Sequence, residues 1–236
     1  MRRHHEEVGD SDCRICIGGG NGGINSSYND YYLSHDLDRS YKRSGTLFSD
    51  WRCNLGWSEY SQSENLVIYG HNMANNTMFG SLRRYRQDYS YWDNHAFVNL
   101  DTLYRHYDYV IFAIMITGGN WYSDFIYWDM EELDSPEQFN EYLDGVYKKQ
   151  LYSTGIDVEF GDKLMTLSTC YSDEDNSRFL VVARRLRDDE TPGDLSTIHG
   201  TSAYRALHPE EYTVPPETEA PPEDENTDDE YDDTDE

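Results

Sequence analysis

Basic side chains are scarce in this chain. Its 236 residues carry 19 Lys and Arg against 46 Asp and Glu, a formal charge of -27. Phosphate binding needs clustered Lys and Arg, so nucleic acid is excluded as a partner. An anionic membrane surface is disfavoured for the same reason. Long apolar runs are also missing. The longest covers residues 109–117 and is strand length, well short of the roughly 18 residues that span a bilayer. The N-terminus, MRRHHEEVGD, starts basic but lacks the apolar stretch of a signal peptide. Proline is rare, and five of the seven lie between positions 209 and 222. There are only four cysteines, Cys13, Cys16, Cys53 and Cys170.

Aromatic residues are abundant. They make up 14% of the chain, with 21 Tyr, and this composition favours a β-leaning globular domain over disorder. The acid is unevenly spread. Residues 209–236 hold 14 acidic side chains and no Lys or Arg, which leaves -13 on residues 1–208. Such a segment cannot bury enough apolar surface to offset its ordering entropy, and is expected to be a disordered tail. A glycine run, Gly18-Gly19-Gly20-Asn21-Gly22-Gly23, lacks the Gly-Lys-Ser/Thr ending of a phosphate loop, and no βαβ pattern follows it.

Between these stretches the pattern is mostly strands. Candidates cover residues 45–50, 65–69, 96–100, 107–117, 163–169 and 179–186, rich in Val, Ile, Leu, Phe and Tyr and punctuated by Gly, Asn and Asp. Residues 107–117 are too apolar for an alternating edge strand, which predicts a place at the sheet centre. One helix is well signalled. Ser135 suits an N-cap, Pro136 the first turn, and Gln138 a capping box. Phe139, Tyr142, Leu143 and Val146 then recur at helical spacing, and Lys148 and Lys149 complement the dipole at the far end. A second, weaker helix is expected over residues 79–89. The set reads as a β-barrel or mixed sheet with one long helical insertion.

Cys13 and Cys16 form a CxxC, which is half a zinc site; no second CxxC or HxxxH completes it. No metal or cofactor is expected there. Cys53 has no readable partner. Cys170 is placed differently, at the end of the strand-like run Leu164-Met165-Thr166-Leu167-Ser168-Thr169. A polar loop follows, and Arg178 opens the next strand. Antiparallel pairing of these strands would return Arg178 beside Cys170. A reactive thiolate needs such a neighbour, and Arg can also donate to an oxyanion. His71 follows another strand through Gly70 and so also lies at a strand end. The other histidines, His35 included, are expected to be solvated.

These residues carry a resemblance to a known family. Asn65-Leu66-Val67-Ile68-Tyr69-Gly70-His71-Asn72-Met73, followed by Met78-Phe79-Gly80-Ser81-Leu82, resembles the histidine motif of sortases, especially class B. Thr166-Leu167-Ser168-Thr169-Cys170 matches the TLxTC signature, and Arg178-Phe179-Leu180-Val181-Val182-Ala183-Arg184 the arginine strand. Asn29-Asp30-Tyr31-Tyr32-Leu33-Ser34-His35-Asp36 and Ser44-Gly45-Thr46-Leu47-Phe48-Ser49-Asp50 resemble the upstream class B pattern. The resemblance implies an eight-stranded β-barrel with a long helix inserted before the cysteine strand, over residues 28–208. It implies a cysteine transpeptidase that cleaves a sorting signal after Thr through a thioacyl intermediate. The acyl group then passes to an amine of a peptidoglycan precursor or a pilin. Cys170 is then the nucleophile, His71 the general acid/base and Arg178 the oxyanion stabiliser, helped by the backbone at Tyr171. Ser168 and Thr169 are candidates for substrate contact. The implied setting is the cell envelope, with an NPxTx-like signal favoured, a monomeric enzyme and no cofactor. Alternatives are a degenerate, non-catalytic sortase-like binding module and a cysteine hydrolase of another family. A papain-like protease would carry its cysteine on a helix.

The resemblance fades over residues 1–27. That segment is expected to be flexible, with neither the family's membrane anchor nor its first strand. A missing first strand would leave a sheet edge unpaired and lower stability. The acidic tail is not a family feature, and it contains no sorting signal of its own.

Overall fold

A computed structural model describes residues 31–56, 61–102, 105–130, 132–171 and 176–211, and the backbone of residues 13–16. The acidic segment beyond residue 211 and most of residues 1–30 lie outside the described residues, as does the acidic loop triplet Asp173-Glu174-Asp175.

Among the described residues eight strands form one sheet. They are β1 (Cys13–Cys16), β2 (Phe48–Ser49), β3 (Asn65–Tyr69), β4 (Phe97–Asp101), β5 (His106–Gly118), β6 (Gln150–Ser153), β7 (Leu164–Tyr171) and β8 (Ser177–Arg185). Their order is β1-β4-β5-β8-β7-β3-β2, with β6 pairing with β5 off this path. Strand β5 is the spine, as its apolar run predicts. It is antiparallel to both β4 and β8, and Tyr109 through Met115 are buried. A register shift between Ile111 and Ala113 bends the β5–β8 pair, the usual effect of a bulge.

The mostly-β, eight-stranded architecture with its inserted helix is as expected, and among the described residues the end strands β1 and β2 are not bonded to each other. One expectation needs correction: the edge of β4 is not bare. The Cys-Arg-Ile-Cys stretch forms β1, parallel to β4, with Cys13 opposite Val98 and Cys16 opposite Asp101. Four extended residues beside an exposed ladder find hydrogen-bond partners there even with little sequence signal.

Among the described residues four helices decorate the sheet: α1 (Arg84–Gln87), α2 (Tyr91–Asn94), α3 (Pro136–Lys149) and α4 (Ser202–Leu207). The expected helix over residues 79–89 is broken into a 3-10 turn, Gly80–Arg83, followed by α1. Helix α3 starts as its sequence predicts, with the Ser135 hydroxyl accepting the Gln138 N–H at 3.2 Å. It buries Phe139, Tyr142, Leu143 and Val146. The Tyr142 hydroxyl bonds Thr166 Oγ1 at 3.0 Å, which ties the helix to β7. None of the described helices is long and apolar enough to cross a membrane.

Candidate active site

Three strands end together and bring three side chains with them. The hairpin β7–β8 sets Cys170 directly opposite Arg178. Strand β3 runs parallel to β7, with Tyr69 opposite Ser168, and the Gly70 N–H continues the ladder to the Ser168 carbonyl at 3.1 Å. His71 therefore lies level with Cys170, two residues beyond the same rung. Neighbouring strands are about 4.8 Å apart. Cys170 thus stands on the middle strand, with the histidine on one side and the arginine on the other. Cys170 is exposed, whereas the other residues of β7 before it are buried.

His71 is held from outside the sheet. Its Nε2–H donates to the Leu33 carbonyl at 2.6 Å. This bond fixes the tautomer and leaves Nδ1 to gain or lose a proton. Leu33 ends a 3-10 turn, Tyr31–Leu33, packed against the chain at Gly45. Gly45 has φ +57°, and a Cβ there would lie 2.2 Å from the Tyr32 carbonyl oxygen. Only glycine allows that approach, and with it the placement of Leu33. Arg178 is half-buried and donates to the Ser177 carbonyl at 3.1 Å. Gly119 packs on it so closely that a Cβ would lie 2.7 Å from the guanidinium carbon.

A groove of about 570 Å³ opens beside these residues, lined by His71, Cys170 and Arg178 together with Trp51, Trp121, Tyr127 and Trp128. Its floor is tied down by hydrogen bonds. Tyr127 and Ser168 share a hydroxyl–hydroxyl bond of 2.6 Å. Burial pushes the Tyr127 phenol up to about 12, against the opposing pull of the Ser168 bond and of the Arg178 charge. At one wall Asp50 is 1% exposed. It accepts from Arg52 Nε at 2.8 Å and from the Tyr69 hydroxyl at 2.8 Å. Burial alone would raise its carboxyl, but the Arg52 bonds outweigh it and hold Asp50 below its ordinary value. Burial pushes the Tyr69 phenol far up, so it donates as a neutral hydroxyl.

The other residues singled out in the sequence are placed as follows. The Ser168 hydroxyl is committed to Tyr127, and Thr169 is 3% exposed with its hydroxyl unpartnered. Tyr171 ends β7 opposite Ser177, and its ring faces Arg86 at 4.9 Å. His35 stacks on Tyr31 and its Nδ1–H donates to the Tyr31 carbonyl at 2.8 Å. His95 stacks on Tyr91, and His199 and His208 on Tyr204. His106 sits between Asp101 and Asp108 at the far end of the β4–β5 pair, and the Asp101 bond raises its pKa. Cys53 is half-buried, and its sulfur accepts the Val67 N–H at 3.3 Å. Its place is in the packing behind β3. Sequence reasoning missed the Leu33 carbonyl, Tyr127 and Asn72, whose side-chain N–H donates to the Cys170 carbonyl at 3.0 Å. Asn72 stands beside His71 in the histidine motif, which was the one signal available.

The chain matches the sortase domain family over residues 49–186. It belongs to the sortase family. Within that family it is most like the class B sortases. It is 32% identical to sortase B of Listeria monocytogenes over 159 residues, which is 67% of this chain and 61% of that protein. The chain spans about three fifths of the length of the curated relatives it matches. Its fold is similar to a Staphylococcus aureus sortase B–substrate complex, with a TM-score of 0.59 and 27% identity, covering 70% of this chain and 72% of that one. It is equally similar to a triglycine complex of a sortase B, with a TM-score of 0.59 and 26% identity, covering 70% and 73%.

Proposed function

We propose that this protein is a cysteine transpeptidase that works through a thioacyl intermediate on Cys170. The observation that carries this reading is the convergence of Cys170, His71 and Arg178 at one end of the β3–β7–β8 ladder. The Cys170 thiolate attacks the carbonyl of the Thr in a sorting signal. Arg178, with the backbone N–H at Tyr171, holds the oxyanion, a contribution on the order of 3 kcal/mol per donor. His71 protonates the departing amine through Nδ1 and later accepts a proton from the incoming amine. Splitting one amide exchange into two steps keeps the acyl energy for transfer.

The aromatic groove suits an extended peptide, and an NPxTx-like signal is favoured. The acceptor is an amine of a peptidoglycan precursor or a pilin, and the setting is the cell envelope. The substrate and triglycine complexes of similar sortases support a peptide and an amine as partners in general terms. Residues 28–208 form the catalytic unit in this reading, with the acidic segment as an appendage. Cys170 lies on a strand, which disfavours a papain-like hydrolase.

A transfer assay tests the proposal. Purified protein, a fluorogenic NPxTx peptide and a primary amine should give the amide product by chromatography. Cys170→Ala should reduce product to background, while Cys53→Ala should leave it within about twofold, as expected for a packing residue away from the chemistry. Equal loss from both variants would contradict the reading.

A further inference from the structure

Strand β3 leaves its ladder at the histidine. The Gly70 N–H is bonded to the Ser168 carbonyl of β7. Groups facing one neighbour recur at every second residue of a strand. The next rung would therefore set the backbone N–H of residue 72 on the Cys170 carbonyl. The chain turns back instead. Asn72 forms an isolated antiparallel bridge with Met78, and the Phe79 N–H donates to the His71 carbonyl at 3.0 Å. The turn is strained. Asn76 has φ +64° and Met78 φ +54°. Methionine gains nothing from the left-handed region, so the bonds that close the turn must hold it there.

A side chain takes over the missing rung. Asn72 Nδ2–H donates to the Cys170 carbonyl at 3.0 Å. The residue after the histidine is thereby tied to the peptide of the cysteine. The tie has a cost. Asn72 Oδ1 is buried without a partner among the described residues. A buried amide oxygen with no donor is unfavourable, yet the amide keeps its N–H on Cys170. His71 is held from two sides as a result. Leu33 fixes the ring through Nε2 at 2.6 Å, and Asn72 fixes the adjoining backbone to Cys170.

We propose that Asn72 is a positioning residue, which holds Nδ1 of His71 in line with the amine that departs from the Cys170 adduct. This deepens the transpeptidase reading and rests on it. In acylation the Cys170 sulfur bonds to the Thr carbonyl carbon, and the carbon–nitrogen bond breaks. Its electron pair goes to the nitrogen, which takes a proton from His71 Nδ1. A misplacement of about 1 Å in such a transfer costs about 10²-fold in rate.

Two substrates isolate the proton transfer. One is a sorting-signal peptide with its ordinary Thr amide. The other ends in a Thr thioester, whose carbon–sulfur bond breaks with the electron pair leaving as thiolate, so no proton is needed. With full-length protein, Asn72→Ala should slow acylation by the amide much more than by the thioester. The ratio of the two rates should fall about tenfold or more. Asn72→Gln keeps a side-chain N–H and should recover part of that ratio. The melting temperature of Asn72→Ala should stay within about 3 °C of the unaltered protein, because a hydrogen bond and an unpartnered oxygen are lost together. Equal loss on both substrates, or no loss on either, would overturn the role of Asn72 and leave the transpeptidase reading intact. Failure of the unaltered protein to acylate on Cys170 would count against the transpeptidase reading instead. Hydrogen exchange then decides the tie without catalysis. In Asn72→Ala the Phe79 amide, bonded to the His71 carbonyl, should exchange about tenfold faster, while the amides of residues 66–68 keep their protection. Unchanged exchange at Phe79 would overturn the proposal.

Discussion

Arg178 and Arg184 lie six residues apart on β8, yet their surroundings are opposite. Arg184 is fully buried. Its guanidinium meets Glu190 at 2.6 and 2.8 Å and the Asp157 carboxylate at 3.3 Å, and its Nε donates to the Asp157 carbonyl at 2.7 Å. Arg187 joins the same cluster through Asp157 and Asp162 at 2.6 and 2.8 Å. Arg178, at the other end, is half-buried beside Cys170 and has no carboxylate partner among the described residues. One end of the strand cancels its charge to build structure. The other keeps a positive charge uncancelled, which is what an oxyanion stabiliser needs. A charge-saturated arginine at the site would be a scaffold element, and an unsaturated one in the interior would be a severe cost.

Substitutions at the two positions should separate these roles. The largest effect is expected from Arg178→Ala, which should lower transfer by about 10²–10³-fold, the usual cost of losing an oxyanion donor. Its melting temperature should stay near that of the unaltered protein, as read by calorimetry. A comparable loss of stability would erase the contrast. Arg184→Ala should do the reverse. It strands Glu190 in the interior and should cost about 3–5 kcal/mol in urea unfolding. The double variant Arg184→Met, Glu190→Leu should recover most of that loss, because no charge is then left buried without a partner.

The pH dependence of stability should point to the same end. Burial would raise the Glu190 carboxyl, but the Arg184 bonds outweigh it, so its pKa is lowered from the ordinary 4.5. A depressed folded-state pKa adds stability that is fully present above the unfolded value and is lost as pH falls through the folded one. Stability should therefore decline below about pH 4.5, and Glu190→Gln should flatten that decline in melts between pH 3 and pH 7 (an order-of-magnitude window). An unchanged acid limb would remove Glu190 from the explanation. The smallest effect is expected from Tyr127→Phe at the groove floor. Losing the bond to Ser168 should cost about 1 kcal/mol in unfolding, with transfer lowered only slightly.

Much of this arrangement was legible in the sequence, unevenly and for physical reasons. Strands β3, β5, β7 and β8 announced themselves because each is a buried apolar run bounded by Gly, Asn or Asp. Helix α3 did so because Ser135, Pro136 and four apolar residues agree on its start and its face. Strand β6 did not, because its four residues follow α3 without a break and none is buried. Helix α4 is a single short element whose only buried residue is Tyr204, so its period carries no signal. Within the site, Cys170, His71 and Arg178 could be nominated because each stands at the end of a readable strand. The Leu33 carbonyl and Tyr127 could not. Their contacts span 38 and 41 residues, and one is made by the backbone, which every residue type carries.

Intact-protein mass spectrometry tests the proposed chemistry most directly. The full chain is incubated briefly with NPxTx and LPxTG peptides in the absence of an amine, then quenched in acid and digested. Cys170 as nucleophile predicts a mass increase equal to the peptide acyl fragment, located on Cys170 and discharged by added amine. A well-folded sample with no adduct on Cys170 across the panel, or with the adduct on Cys53, would contradict it.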